Sequence, residues 1–353
     1  MKTEFGATPV VSIVILNFNG QAFLENCLAS VFQTDYPCFE VILVDNGSSD
    51  NSIDLVQGRF GNERRLRIVR NRENLGFALG NNLAIRHCMG DYLAFLNVDT
   101  IVDRKWLTNL VKEIVSNDEI AVVQPKIKKL SDRRILACCG NLVIRYCGWT
   151  FALGAGQIDR GQFDHPINIC LGGAAFLIQR RVVEEIGLFD SKFFINFEDT
   201  DLSLRVWLSG YKIAFVPQAV VYHHISGSWS KFTLGYRHRL STRNCLRMMM
   251  KNYNSSALPA NIVASLLLMT GLGLWLLVRN RDSSFLDGLL HSVFWNSANL
   301  GDTISERRSV QGRRKVTDAK LQQASIFINP SLLQVARWVK ATWRDGQSGT
   351  VAK

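Results

Sequence analysis

Leu93-Ala94-Phe95-Leu96-Asn97-Val98-Asp99-Thr100 is the stretch on which the fold turns. Residues 92–96 form a short, apolar run of the kind found in a strand covered on both faces, and the run breaks into polar residues at Asn97 and Asp99. The same grammar repeats outward in both directions. Upstream, residues 10–16, 41–44 and 66–69 read as strands, separated by helical stretches at 22–32, 52–58 and 77–88; downstream, 104–115 reads as a helix and 120–123 as a strand. Strands alternating with helices predict an α/β domain with a mostly parallel central sheet and helices on both faces.

In such open sheets ligands bind beyond the carboxyl ends of the strands. Polar residues collect at those places: 17–20, 45–50, 71–76 and 97–100. From about 126 to 170 the pattern loosens around Gly140, Gly148, Gly154, Gly156 and Gly161, and an irregular hairpin or loop over the site is expected. Order returns at Gly172-Gly173, followed by a strand at 174–178, a helix at 181–186 and a further ordered run at 193–207. A strand pair at 213–215 and 220–223 then leads into Ser226-Gly227-Ser228-Trp229.

The 353 residues are 47% hydrophobic and 20% charged, enough for a full core and not the composition of a disordered chain. The net charge of +11 is uneven. Residues 231–353 hold 18 Lys and Arg against 6 Asp and Glu, whereas the first 230 residues are close to neutral. A basic end asks for a phosphate-rich partner, nucleic acid or anionic lipid. The uncharged stretch at 254–278 in that same segment favours lipid, and with no nucleic-acid motif present, nucleic acid is excluded as a partner. At about 1.5 Å per residue, 258–278 is long enough to cross a bilayer, but Pro259, Asn261, Ser265, Thr270, Gly271 and Gly273 dilute it, so a helix lying in the interface is an equal expectation. The chain divides on this pattern into a catalytic domain at 1–240 and a basic, helical, membrane-associated region at 241–353. The eight cysteines include no CxxC pair, which fits a reducing compartment, and the apolar run at 10–16 reads as a strand and not a signal peptide.

Three groups of residues can carry chemistry. Asp99 at a strand tip suits a hard divalent cation bridging to a diphosphate; the competing role is a helix cap, with Asp99 or Asp103 capping the helix that follows. Glu198, Asp199 and Asp201 stand at a helix start, where clustered like charges raise the proton affinity of one member and fit it to be a general base; helix capping is the competing role. His223 and His224 follow a strand, so alternation sends only one ring into the site. Asp45 can accept from a base N–H or a ribose hydroxyl, and turns use the same residues.

In order and context these stretches resemble family 2 glycosyltransferases of GT-A fold, in the bacterial rhamnosyltransferase-type branch. The match rests on residues 11–20, Val44-Asp45-Asn46-Gly47-Ser48-Ser49-Asp50, 71–77, Leu96-Asn97-Val98-Asp99-Thr100, Gly172-Gly173-Ala174, Glu198-Asp199-Thr200-Asp201-Leu202 and Val221-Tyr222-His223-His224. The resemblance implies a division of labour. Asn17, Asn19, Asp45, Asn74, Gly76, Asn97 and Gly173 would surround the nucleotide-sugar. Asp99 and His223 would hold a divalent metal ion, Mg or Mn, with His224 as second choice, and Asp199 would be the base, with Glu198 and Asp201 shaping its field. Trp229 and Arg243 would meet the acceptor or its phosphates.

The reaction implied is inverting transfer from a dTDP or UDP sugar, first of all L-rhamnose from dTDP-rhamnose, to a glycan or polyprenyl-diphosphate-linked acceptor. The place implied is the cytoplasmic face of the inner membrane of a bacterium building surface polysaccharide. One departure is Asn97, which stands at the first position of the family's DXD motif and removes a negative charge there. Within enzymes the rival is a sugar nucleotidyltransferase, but residues 17–24 lack the Lys or Arg needed to hold a triphosphate. Outside enzymes the rival is a glycan-binding scaffold with a degenerate transferase domain, which donor hydrolysis would discriminate.

Overall fold

The computed structural model describes residues 8–225 and 232–335. The first half alternates as expected: β1 Val11–Asn17, α1 Gln21–Phe32, β2 Phe39–Asp45, α2 Ser52–Phe60, β3 Leu66–Arg70, α3 Gly76–Ala84, β4 Tyr92–Asn97, β5 Thr100–Val102, α4 Trp106–Ile114 and β6 Ile120–Lys129. There follow β7 Leu136–Cys138, β8 Asn141–Ile144, β9 Thr150–Ala152, β10 Ala175–Gln179, α5 Arg180–Ile186, α6 Glu198–Leu208 and β11 Lys212–His223. The chain then turns helical: α7 Leu234–Asn252, α8 Leu258–Asn280, α9 Ser284–Ala298, α10 Leu300–Gly312 and α11 Asp318–Gln323, before the short β12 Phe327–Ile328.

The central sheet runs β3-β2-β1-β4-β10-β6-β11-β5, with β7 on the flank of β6. Its first four strands are parallel. Beyond them β10 runs antiparallel to both β4 and β6, β6 and β11 are parallel, β5 is antiparallel to β11, and β7 is antiparallel to β6. Both faces are covered, which is why the strands read as unbroken apolar runs: Val14, Ile42, Val44 and Phe95 enter one core layer, and Ile13, Ile15, Val41 and Leu43 the other.

Three details differ from the sequence expectation. Residues 213–215 and 220–223 are not a strand pair but the two ends of β11, which pairs with β6 along its length and shifts register between Val216 and Val220. Pro217 lies inside that shift; lacking an N–H, it is tolerated where the ladder is already interrupted. The stretch from 126 to 170 is more regular than expected up to Ala152, while 153–170 holds only turns and isolated bridges. It extends β6, adds β7, and forms a small sheet in the order β12-β8-β9, so the C-terminal segment supplies a strand to the middle of the chain. The boundary expected at 240 falls inside α7, which is unbroken there and buries Leu240, Asn244, Cys245, Arg247, Met248 and Met249.

Candidate active site

The loops that leave the carboxyl ends of β1 and β2 are sewn together. Asn17 is fully buried, its Nδ2 donating to Ser48 Oγ at 3.0 Å, Ser52 Oγ at 2.9 Å and Asp45 Oδ1 at 3.4 Å. Asp45 Oδ1 also accepts from the Ser48 N–H at 3.3 Å, and Asn19 Oδ1 from the Ser49 N–H at 2.8 Å. Asn17 was expected to line the nucleotide pocket. Instead it is enclosed at the strand tip, where its amide fixes the position of Asp45 and the loop after it.

Sequence reasoning passed over the next residue, Asn46, although it sits inside the quoted Val44–Asp50 motif. Its Nδ2 donates to Asn74 Oδ1 at 2.9 Å and to the Gly76 carbonyl at 3.1 Å, while its Oδ1 accepts from Asn71 Nδ2 at 3.0 Å and from the Leu75 N–H at 3.2 Å. One buried side chain thus fastens the third loop and the start of α3. Gly76 is required there: its φ is +77°, and a Cβ would lie 2.5 Å from the Phe194 carbonyl oxygen.

These loops border a cavity of about 270 Å³. Its polar walls are Asn46, Asn74, Gly76, Asn97 and Asp99, and its apolar walls include Phe18, Phe77, Val98 and Phe194. At the Asp99 side, His223 Nε2 is 3.1 Å from Asp99 Oδ1. The contact follows from register, because His223 pairs with Thr100 across β11 and β5. The strand's alternation turns His224 away, onto the ring of Phe23 at 4.9 Å between centroids. Asp99 is therefore no helix cap, and Asp103 instead accepts from the Lys105 N–H at 3.0 Å.

The acidic turn is built from strain. Asn196 and Phe197 both take positive φ, 75° and 71°, immediately before α6. Asn244 on α7 holds this turn by donating to the carbonyls of Ile195 at 3.0 Å and Asn196 at 2.7 Å. Such strain persists only when the surroundings over-determine it. The result presents Asp199 to Gly173, whose N–H donates to Asp199 Oδ2 at 3.2 Å, while Asp199 Oδ1 accepts from the Thr200 N–H at 2.6 Å. The next residue, Ala174, accepts from the Asn97 N–H at 2.9 Å. Asp199 is thereby tied through Gly173 and Ala174 to the tip of β4, where the Asp99–His223 pair begins.

Glu198 is buried beside it and its Oε2 has no hydrogen-bond partner among the described residues. Burial, and then the Asp199 charge, push its pKa up to about 8. Burial also raises Asp199, against the opposing pull of its backbone donors. Two neighbouring carboxyls do not ionise together, so at neutral pH the pair keeps a proton.

Asp201 does not belong to this group. Two residues on from Asp199, about 200° around the helix, it is fully buried on the other face. There it meets Arg205 Nε at 2.9 Å, Lys251 Nζ at 3.1 Å and Asn252 Nδ2 at 2.8 Å. Burial works to raise its pKa, but the Lys251 and Arg205 charges prevail and the net shift is downward. Its role is to lock α6 to α7. Arg243 is likewise drawn elsewhere: it stacks over Trp295, 4.5 Å to the ring centroid, and donates to the Lys192 carbonyl at 3.1 Å. Trp229 lies outside the described residues.

A divalent cation fits the Asp99–His223 pair only in one way. Among the described residues no three His, Cys, Asp or Glu side chains cluster as a complete cation site. One carboxylate and one imidazole leave most of the coordination sphere to other oxygens, which suits an ion held jointly by protein and a diphosphate.

Residues 12–187 match the family model described as glycosyl transferase family 2. The chain is 28% identical over 229 residues, 63% of its length, to the O-antigen biosynthesis protein RfbC of Myxococcus xanthus, of which it covers 18%. It is 23% identical over 237 residues, 65% of its length, to the poly-β-1,6-N-acetyl-D-glucosamine synthase of Staphylococcus epidermidis, of which it covers 55%. The chain thus spans about half the length of these curated relatives, or less. Among solved structures, GalNAc-T7 with UDP, GalNAc and Mn2+ aligns with TM-score 0.57 and 19% identity, over 70% of this chain and 48% of the other. That likeness is one of fold, and it makes the fold GT-A.

Proposed function

We propose that this chain, which carries a family 2 glycosyltransferase domain over residues 12–187, moves a sugar from a nucleotide-sugar donor to an acceptor hydroxyl with inversion. The observation that carries the reading is the meeting of three parts at the tip of β4. These are a cavity walled by Asn74, Gly76, Asn97 and Asp99, the Asp99–His223 pair at 3.1 Å, and, outside that lining, Asp199 held on Gly173, whose neighbour Ala174 accepts from the Asn97 N–H. Asp199 takes the proton from the acceptor hydroxyl as that oxygen attacks the anomeric carbon; the Gly173 and Thr200 N–H groups fix its orientation. Glu198, protonated at neutral pH, leaves the negative charge of the pair on Asp199. The donor's diphosphate departs toward Asp99 and His223, and a divalent ion shared with these two side chains would offset its charge. A single displacement needs no covalent nucleophile, consistent with thiols that burial pushes up to about 12 at Cys27 and Cys138.

The donor proposed first is dTDP-L-rhamnose, with UDP hexoses behind it, and the acceptor a glycan or a polyprenyl-diphosphate-linked saccharide of the bacterial surface. Support for the 6-deoxy sugar is the sequence resemblance together with the apolar walls Phe77, Val98 and Phe194, which suit a methyl group better than a hydroxymethyl. The place proposed is the cytoplasmic face of the inner membrane. A panel of nucleotide sugars, titrated with and without Mn2+ or Mg2+, tests the donor. Asp199→Ala should keep metal-dependent donor binding and lose transfer; transfer at the wild-type rate by that variant would remove Asp199 from the mechanism.

A further inference from the structure

α8 is apolar on the side where a helix on a soluble protein is polar. Its outward stripe includes Val263, Leu267, Leu274 and Val278, with 56%, 69%, 50% and 84% of their surface exposed, and no charged residue occurs in the helix before Arg279. The neighbouring helix α9 continues the pattern with Leu290, Val293 and Phe294, exposed by 61%, 43% and 75%. Apolar area of this extent left uncovered by the described residues marks a binding surface.

Positive charge borders it. Arg279 lies over the Trp275 ring at the end of α8, and Arg281 follows in the turn to α9. Apolar side chains rimmed by arginine complement a bilayer interface with anionic headgroups.

The other face of α8 decides how the helix meets that interface. Ser265, Met269, Gly273 and Leu276 are buried against the body of the protein. Ser265 Oγ donates to the Cys147 carbonyl at 3.0 Å, in the turn between β8 and β9, and Gly273 packs against Leu286 and Phe285 of α9. α9 returns onto α7, with Gly288 against the Arg239 backbone and Asn296 Nδ2 donating to the Arg243 carbonyl at 3.1 Å. A bilayer core about 30 Å thick takes about 20 helical residues surrounded by lipid. α8 reaches that length, yet one side of it is committed to protein through its middle.

We infer that the α8–α9 hairpin is a monotopic membrane seat: both helices lie in the plane of one anionic leaflet, apolar faces down, and α8 does not cross. The inference rests on these two helices and not on donor chemistry. Flotation of the full chain with phosphatidylcholine vesicles, with and without phosphatidylglycerol, tests it. The wild type should float, and more strongly with the anionic lipid. Leu267→Glu with Leu274→Glu, both side chains pointing away from the core, should lower the bound-to-free ratio at least about tenfold while leaving the Tm and donor binding of the soluble fraction unchanged. A wild type that binds neither vesicle overturns the inference, as does a solution dimer that these substitutions convert to monomer, because a second copy would then cover the face. For sidedness, Ser283→Cys in the hairpin turn and Lys112→Cys on α4 are placed in a Cys38→Ser background and exposed to an impermeant maleimide in sealed vesicles. Labelling of both from the same side fits an in-plane hairpin, and labelling from opposite sides refutes it. Loss of transfer with flotation intact would count against the proposed reaction and leave the membrane seat standing.

Discussion

Replacing Glu198 by Gln should change how the stability of this protein depends on pH, and the size of the change follows from the site. The carboxyl is buried, its Oε2 is without a partner among the described residues, and its pKa rises from 4.5 to about 8 on folding. Because the folded-state value is the higher one, the folded chain holds this proton more tightly than the unfolded chain. The associated stability is complete below about pH 4.5 and is lost as pH climbs through about 8. At about 1.36 kcal/mol per unit, the gap amounts by pH 7 to an order of 3 kcal/mol. Glutamine does not titrate, so wild-type stability minus that of Glu198→Gln, from urea unfolding between pH 5 and 8.5, should fall by roughly that amount across the range. Taking the difference cancels Asp190 and Asp201, whose lowered pKa values act in the opposite sense. Transfer at pH 7 should survive within about tenfold, since a neutral amide replaces a neutral acid beside Asp199. A difference flat across the pH range would mean that Glu198 is ionised and solvated, and the account of the pair would be wrong.

Gly76→Ala and Gly173→Ala form a matched pair. Both have positive φ, +77° and +98°, but a Cβ at Gly76 meets Phe194 whereas one at Gly173 meets nothing within 4 Å. Both should pay about 1 kcal/mol for backbone strain, and Gly76→Ala a further 1–3 kcal/mol for crowding, so equal losses in denaturant titrations would contradict the geometry. Asp201→Asn should cost on the order of 3 kcal/mol by removing the charge that Arg205 pairs with and that Lys251 shares with Asp190, yet leave donor Kd in the surviving folded protein unchanged. A stable Asp201→Asn that loses donor binding would return Asp201 to the site. His223→Ala should weaken Mn2+-dependent donor binding by about tenfold or more, whereas His224→Ala, which removes only the contact with Phe23, should not; calorimetric titration separates them.

Much of the fold was legible because parallel strands buried on both faces leave long apolar runs in the text, and residues 11–17, 39–45 and 92–97 are such runs. Local rules also put Asp99 at a strand tip and allowed only one of His223 and His224 to face the site, while the choice of His223 came from the family resemblance. Local rules failed where partners lie far along the chain. Nothing near residue 201 announces Lys251, 50 positions later, as its counter-ion, and a cluster of carboxylates in the text became two sites once a helix separated Asp199 from Asp201. Asn17 and Asn46 show the same thing on neighbouring loops. Both are polar residues at strand ends, but one is enclosed by Ser48 and Ser52 while the other ties a third loop around the cavity.

The sequence by itself therefore determined the order of elements, the strand tips at which chemistry gathers, and the basic, apolar character of the last third. Periodicity and charge are properties of a few consecutive residues, and they survive without coordinates. Only the tertiary structure decided which polar atoms face the cavity, that β10 enters the sheet antiparallel and carries Gly173 to the end of β4, and which side of α8 is left uncovered. Those outcomes are set by contacts between segments tens to hundreds of residues apart, where packing and the pairing of buried charge outweigh any local preference.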